Sequence, residues 1–176
     1  MTRQLIIRQE GPEDYANIFE VNQKAFGQDN EARLVDALRQ NPTVFVPSLS
    51  RVAITEDLIV GHILFTKINI EDDSGQIHES LALAPMAVLP EWQRSGIGGQ
   101  LILNGLEAAM ILGFTSVIVL GHEHYYPRFG FVPAAQWNIR APFDVPADVF
   151  MAIELVPDGL KHISGTVIYP KEFEGV

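Results

Sequence analysis

A chain of 176 residues, 47% apolar and 19% charged, is long enough to bury a core as one domain and lies far from disordered compositions. With no cysteine it excludes disulfides, thiolate metal sites and a cysteine nucleophile, and it suits a reducing, cytoplasmic setting. Twelve basic against 22 acidic residues leave a net charge of −10, which argues against nucleic acid and anionic membranes as partners and favours cations, amines included.

The opening stretch MTRQLIIRQEGPEDY carries only three consecutive apolar residues before charge returns, so it does not read as a signal peptide. Leu5–Ile7 reads as a first strand. Pro12, Glu13 and Asp14 suit the start of a helix whose apolar face is Ile18, Phe19, Val21, Ala25 and Phe26, with Gly27 after it. Asp29 and Asn30 suit the cap of a second helix with Leu34, Val35 and Leu38 on one stripe.

Three strands are predicted next, over 51–55, 58–70 and 77–89, with EDDSGQ as the hairpin turn between the last two. The apolar run from Leu81 to Leu89 falls short of the ~18 residues of a membrane span. Pro85 within it cannot donate to a ladder, so this strand should bulge or splay there. A helix with Ile97, Leu101, Leu106, Ala109 and Met110 on its stripe runs to Gly113. A buried strand follows over 115–120, then a short helix or turn at HEHYYPRFGF, a brief strand, a long loop over 133–148, and late strands over 149–155 and 166–169. No linker or repeat divides the chain, so a single domain over 1–176 is expected. The order predicts an α/β (α+β mixed) fold whose sheet is parallel where a helix crosses between strands.

The loop PEWQRSGIGGQL, residues 90–101, joins a predicted strand to a predicted helix. It is not a P-loop, because Gly99 is followed by Gln100 and Leu101 in place of Lys and Ser or Thr. It is not a dinucleotide fingerprint either, since the third glycine and the acid about 20 residues on are missing. What remains is Gln93-x-x-Gly96-x-Gly98 at a helix mouth. Glycines let backbone amides approach an anion, the first helical turn leaves its amides unpaired, and Arg94 adds a cation. The same glycines also serve a helix that only caps and packs, and the loop alone leaves both readings open.

The stretch LAPMAVLPEWQRSGIGGQLI resembles the strand, pyrophosphate loop and helix of the GNAT superfamily of N-acetyltransferases. YYPRFGF resembles the segment in which that family carries a tyrosine four residues before Gly-Phe, here Tyr126 before Gly130 and Phe131. The resemblance extends over most of the chain and looks like a bacterial subgroup of predicted acetyltransferases. It implies the GNAT fold, a mixed and mostly antiparallel sheet with a splayed central strand pair and helices on both faces.

It also implies acetyl-CoA as cosubstrate, with no metal, and direct attack of a primary amine, on a small molecule or a protein, upon the thioester. Gln93 and the backbone of Arg94, Ser95, Gly96, Ile97, Gly98 and Gly99 would hold the pyrophosphate. Met86, Ala87 and Val88 would pair with the pantetheine arm in the gap by Pro85, and the Val88 amide would polarise the thioester carbonyl. Tyr126 would protonate the leaving thiolate, with Tyr125 as the alternative. A lysine-like amine arrives as ammonium, its pKa being near ~10.4, so a base is needed. Glu123 heads the candidates, followed by His122, Glu20, Glu31 and Glu79.

One departure stands out. Many members have an asparagine six or seven residues before the tyrosine, where this chain has Leu120 and Val119. A CoA-binding regulatory module without catalysis is the alternative that this departure raises. The cluster His122-Glu123-His124 lacks metal-site spacing, and His62, His78 and His162 read as structural or surface residues, Trp92 and Trp137 as packing residues. A monomer or a homodimer is expected.

Overall fold

Apolar residues three and four apart set the early helices, and β-branched runs set the strands after them. The structure, a computed structural model, describes residues 3–176. Strand β1 (Ile6–Gln9) leads through a tight turn at Pro12–Asp14 into α1 (Tyr15–Phe26), and α2 (Asn30–Arg39) follows. The Asp14 carboxylate accepts the Gly11 amide at 2.7 Å and pairs with Arg8, so the helix proper starts after Pro12 rather than at it.

Strands β2 (Phe45–Thr55), β3 (Leu58–Glu71) and β4 (Ile77–Val88) form an antiparallel meander, and β1 joins its edge antiparallel to β2. The expected parallel pairing across a helical connection therefore fails between β1 and β2. One helix returns the chain for a parallel strand; two helices reverse it once more. The expectation holds where α3 (Ile97–Ile111) alone joins β4 to β5 (Ser116–Leu120), a parallel pair. Strand β2 starts six residues before the sequence reading put it, with a register irregularity between Phe45 and Ser50 around Pro47.

The brief strand expected after HEHYYPRFGF is β6 (Val132–Pro133), and the stretch read as one long loop holds β7 (Ile139–Arg140), whose two residues are too few for a periodic pattern to register. With β8 (Phe150–Glu154) and β9 (Gly165–Ile168) these complete a nine-stranded sheet of order β1-β2-β3-β4-β5-β8-β6. In it β9 pairs the far end of β3, and β7 runs parallel to β9.

The central strand β3 is buried on both faces, which is why its sequence is apolar almost without alternation. Ile63 and Phe65 face α3, packing with Leu101, Ile102 and Leu106. Leu64 faces the opposite way, against Ile18, Leu34 and Leu38 of α1 and α2.

A buried polar chain ties those two helices to the sheet. Arg39 holds Glu10 at 2.8 Å, Ser50 bonds both Glu10 and His62, and Asn22 meets the other ring nitrogen of His62 at 3.2 Å. Burial, with help from Arg39, pushes the His62 pKa from its ordinary 6.5 to about 3, so the imidazole is neutral at physiological pH.

The middle of the sheet opens along one line. Strands β4 and β5 share a single register pair, Ala82 with Ile118, beside a bond of 2.7 Å between the Ser80 and Ser116 hydroxyls. Just past that pair the register of β4 on β3 slips, so that Ala84 and Pro85 lie opposite Leu64 alone. From there to Val88, β4 has no strand on its β5 side.

Candidate active site

Strand β4 ends at Val88, and the turn at Pro90–Trp92 carries the chain toward α3. Gln93 Nε2 donates to the Val88 carbonyl at 2.9 Å, and the Ser95 hydroxyl donates to the Trp92 carbonyl. Arg94 (φ 62°) and Gly96 (φ 86°) both adopt the left-handed conformation, which favours glycine and swings the backbone into the helix mouth. Among the described residues, none of the backbone amides of 94–99 has a protein acceptor. Free amides at a helix mouth are a geometry able to receive an anion.

A cavity of about 680 Å³ runs from this helix mouth along the end of β4, lined by Met86, Ala87, Val88, Gln93, Arg94 and the glycines, with Tyr125 and Arg128 opposite. The ladder refines the roles of the strand residues. The Leu89 amide donates to the Val60 carbonyl, and Ala87 pairs with His62, so the amides of Ala87 and Leu89 turn toward β3. The alternate groups, those of Met86 and Val88, face the gap. Ala87 thus lines the cavity without a free amide, because strand groups alternate sides.

A second cavity, about 890 Å³, lies in the split between β4 and β5. It shares Phe26, Met86, Gln93, Arg94 and Tyr125 with the first, so the two form one cleft. Tyr126 lines this second part. Its ring covers Gly121, where any Cβ would overlap it, and packs edge-on against Tyr125 at 5.2 Å and Phe131 at 5.6 Å. Burial, then the neighbouring Tyr125, pushes the Tyr126 hydroxyl up to about 12, and among the described residues it has no protein hydrogen-bond partner. Tyr125 is half-buried at the junction of the two cavities. Burial raises its pKa against the pull of Arg128, which sits 5.6 Å over its ring.

The candidate bases separate clearly. Glu31 and His122 line the second cavity. Glu123 does not; its carboxylate lies 3.7 Å from His124 outside the cleft. Glu20 lies in a groove between α1 and β2, and Glu79 lies near Lys67 toward the other end of β4. Leu120 stands at the cavity wall, whereas Val119 points into the core. No group of three or more possible metal ligands occurs among the described residues.

The structure adds residues that the sequence reading did not place in a site: Phe143, Tyr169 and Phe173, with Phe26 and Leu34 read there only as helix-face residues, line the second cavity. Only Tyr169 and Phe173 gave a signal, as aromatics four apart flanking Pro170. Trp92 packs on the α3 core beneath the Arg3 guanidinium, and Trp137 on a second core. No helix among the described residues is long and apolar enough to cross a membrane.

The family profile of the acetyltransferase (GNAT) domain matches residues 44–133. The uncharacterized N-acetyltransferase YjhQ of Escherichia coli K12 is 44% identical over 138 residues, 77% of this chain and 74% of that protein. The uncharacterized N-acetyltransferase YhbS of the same organism is 29% identical over 170 residues, 96% of this chain and 98% of that one. The crystal structure of YhbS in complex with CoA superposes with a TM-score of 0.89 at 28% identity, covering 99% of this chain and 94% of the other. A GNAT family acetyltransferase from Brucella melitensis in complex with acetyl-CoA gives 0.77 at 31% identity, covering 98% and 99%.

Proposed function

Because the chain belongs to the GNAT family of acetyltransferases, we propose that it moves an acetyl group from acetyl-CoA to a primary amine, and that residues 1–176 act as one catalytic domain. The observation that carries this reading is the single cleft running from the amides of 94–99, past the free edge of β4, to the Tyr126 hydroxyl. The CoA and acetyl-CoA complexes of the two similar proteins support the same cosubstrate here.

The cradle suits a pyrophosphate despite the net charge of −10. Its amides and Arg94 act at contact distance, whereas distant carboxylates are screened beyond about 8–10 Å. Met86 and Val88 offer strand groups to an amide-bearing arm laid in the gap. When bound, acetyl-CoA supplies an activated thioester to which an amine adds directly. The Val88 amide would hold the carbonyl oxygen as negative charge develops there. Tyr126 stays protonated at neutral pH and would pass its proton to the departing sulfur, with Tyr125 next in line. Glu31 or His122 would take the proton from the incoming ammonium, directly or through water; Glu123 would have to reach in from outside.

The test is thiol release on mixing protein, acetyl-CoA and a panel of amines, read with a thiol reagent. The chain has no cysteine, so it adds no background. Calorimetry with CoA is run in parallel. Amine-dependent thiol release is the expected result. Absence of both release and CoA binding would overturn the reading, and tight CoA binding without release on any amine would mark a silent CoA-binding module.

A further inference from the structure

We propose that the acceptor is a primary amine carried on an apolar, preferably aromatic, body, and that Phe143, Tyr169 and Phe173 select it. The inference rests on the acetyltransferase reading and names the substrate class of that same cleft.

The three rings form a ladder along the second cavity. Phe143 stacks on Tyr169 with centroids 6.2 Å apart and planes 17° from parallel, and Tyr169 meets Phe173 at 5.1 Å. The ladder is anchored. Phe173 packs against the core that α1 and α2 share with β2 and β3, and the adjacent Glu172 accepts a bond from Asn41 at 2.9 Å. Phe26 lines the same cavity. Phe26 is 42% exposed and Phe143 45%, so the fold leaves aromatic surface uncovered at the cleft mouth.

The charge in the cavity is as informative as the rings. Glu31 is its only acidic side chain, and Arg94, its only lysine or arginine, stands at the end shared with the glycine loop. One ammonium therefore finds one acidic side chain. A second ammonium would lose water and find no second acidic side chain, and a row of hydroxyls would have only Gln93, His122 and the scattered tyrosine hydroxyls in exchange for it. An aryl or alkyl body gains the burial, and an aryl ring gains edge and face contacts with the ladder as well.

The experiment is calorimetry of 2-phenylethylamine, butylamine and spermidine on the CoA-saturated full chain, with kcat/KM for each amine by thiol release. 2-Phenylethylamine should lead the other two in both measures by on the order of ten- to a hundredfold. Phe143→Ala changes a half-exposed side chain and should remove about tenfold of that lead. Butylamine should lose less than 2-phenylethylamine does, and the Kd of acetyl-CoA should stay within about twofold. Spermidine binding as tightly as 2-phenylethylamine, no amine binding at all, or a lead untouched by Phe143→Ala would overturn the proposal. The two levels separate cleanly: the expected binding order without thiol release sinks the transferase reading and leaves the cleft's preference for aromatic amines as a binding property alone, whereas release led by spermidine keeps the transferase reading and overturns this inference.

Discussion

At one end of the cleft, consecutive residues 86–99 supply a strand edge, a turn and a helix mouth. At the other, Phe26, Glu31, His122, Phe143 and the Tyr169–Phe173 pair arrive from five separate stretches of chain. The first end works through backbone groups whose positions follow from local geometry: an amide exposed by left-handed Arg94 and Gly96, or one turned outward by strand alternation. The second works through side chains, and its shape exists only once α1, α2, the 133–148 segment and the residues after β9 have packed together. On the proposed function, donor binding would rest on one short stretch, while acceptor choice would be spread over the fold and free to change with any of five segments.

The comparison breaks most sharply at Tyr126, where the two ends meet. Tyr126→Phe should lower kcat by at least about 100-fold and leave the Kd of acetyl-CoA within about twofold. With the hydroxyl at about 12, wild-type kcat should also show no alkaline fall up to about pH 10, since the proton it donates is lost only near its own pKa. A larger loss with Tyr125→Phe would move the acid role to that residue, and a large loss of acetyl-CoA affinity would make Tyr126 a packing group.

Gly98→Val tests the donor end alone. A Cβ there would sit 3.0 Å from the Tyr125 hydroxyl and 3.3 Å from Met86, inside the cradle. Loss of two charge-assisted hydrogen bonds at ~1.5–3 kcal/mol each predicts a Kd for acetyl-CoA raised about 100-fold or more, with the circular dichroism spectrum unchanged. A Kd within threefold of wild type, about 0.7 kcal/mol, would contradict the backbone cradle.

The same contrast explains what the sequence could convey. Gly96 and Gly98 announced the cradle because close anion approach demands a missing Cβ, and Pro85 announced the split because it cannot donate to a ladder. The helices were legible from their periods, β3 from its run of β-branched and aromatic residues, and β5 as a buried strand. A two-residue strand such as β7 carries no period, and the direction of β1 against β2 depends on how two helices pack. No motif singles out the base, and Glu123, close to Tyr125 and Tyr126 in sequence, lies outside the cleft. Glu31, nearly a hundred positions away, reaches the cavity through α2. Nothing local distinguishes Phe143 from any other loop aromatic.

The buried chain from Glu10 to Asn22 offers the finest test, because it supports the two helices that bring Phe26 and Glu31 to the acceptor end. His62 is neutral when folded, with a pKa of about 3 against 6.5 for the free side chain. Below pH 6.5 the unfolded chain takes up a proton that the folded chain refuses. The stability from a neutral His62 is therefore complete above pH 6.5 and drains away toward pH 3, at about 1.4 kcal/mol per unit. Asp14, held low mainly by its bond to Arg8, adds to the loss only below the ordinary carboxylate value of 3.8, outside the upper part of this window. Urea unfolding should show the slope between pH 6.5 and 4.5, and His62→Gln should flatten it. Hydrogen exchange should show α1 and α2 losing protection before α3 over the same range, since the network ties only the first two to the sheet. Equal stability at pH 7.5 and 5, or α3 opening first, would remove His62 from this role and the distinction between the two ends with it.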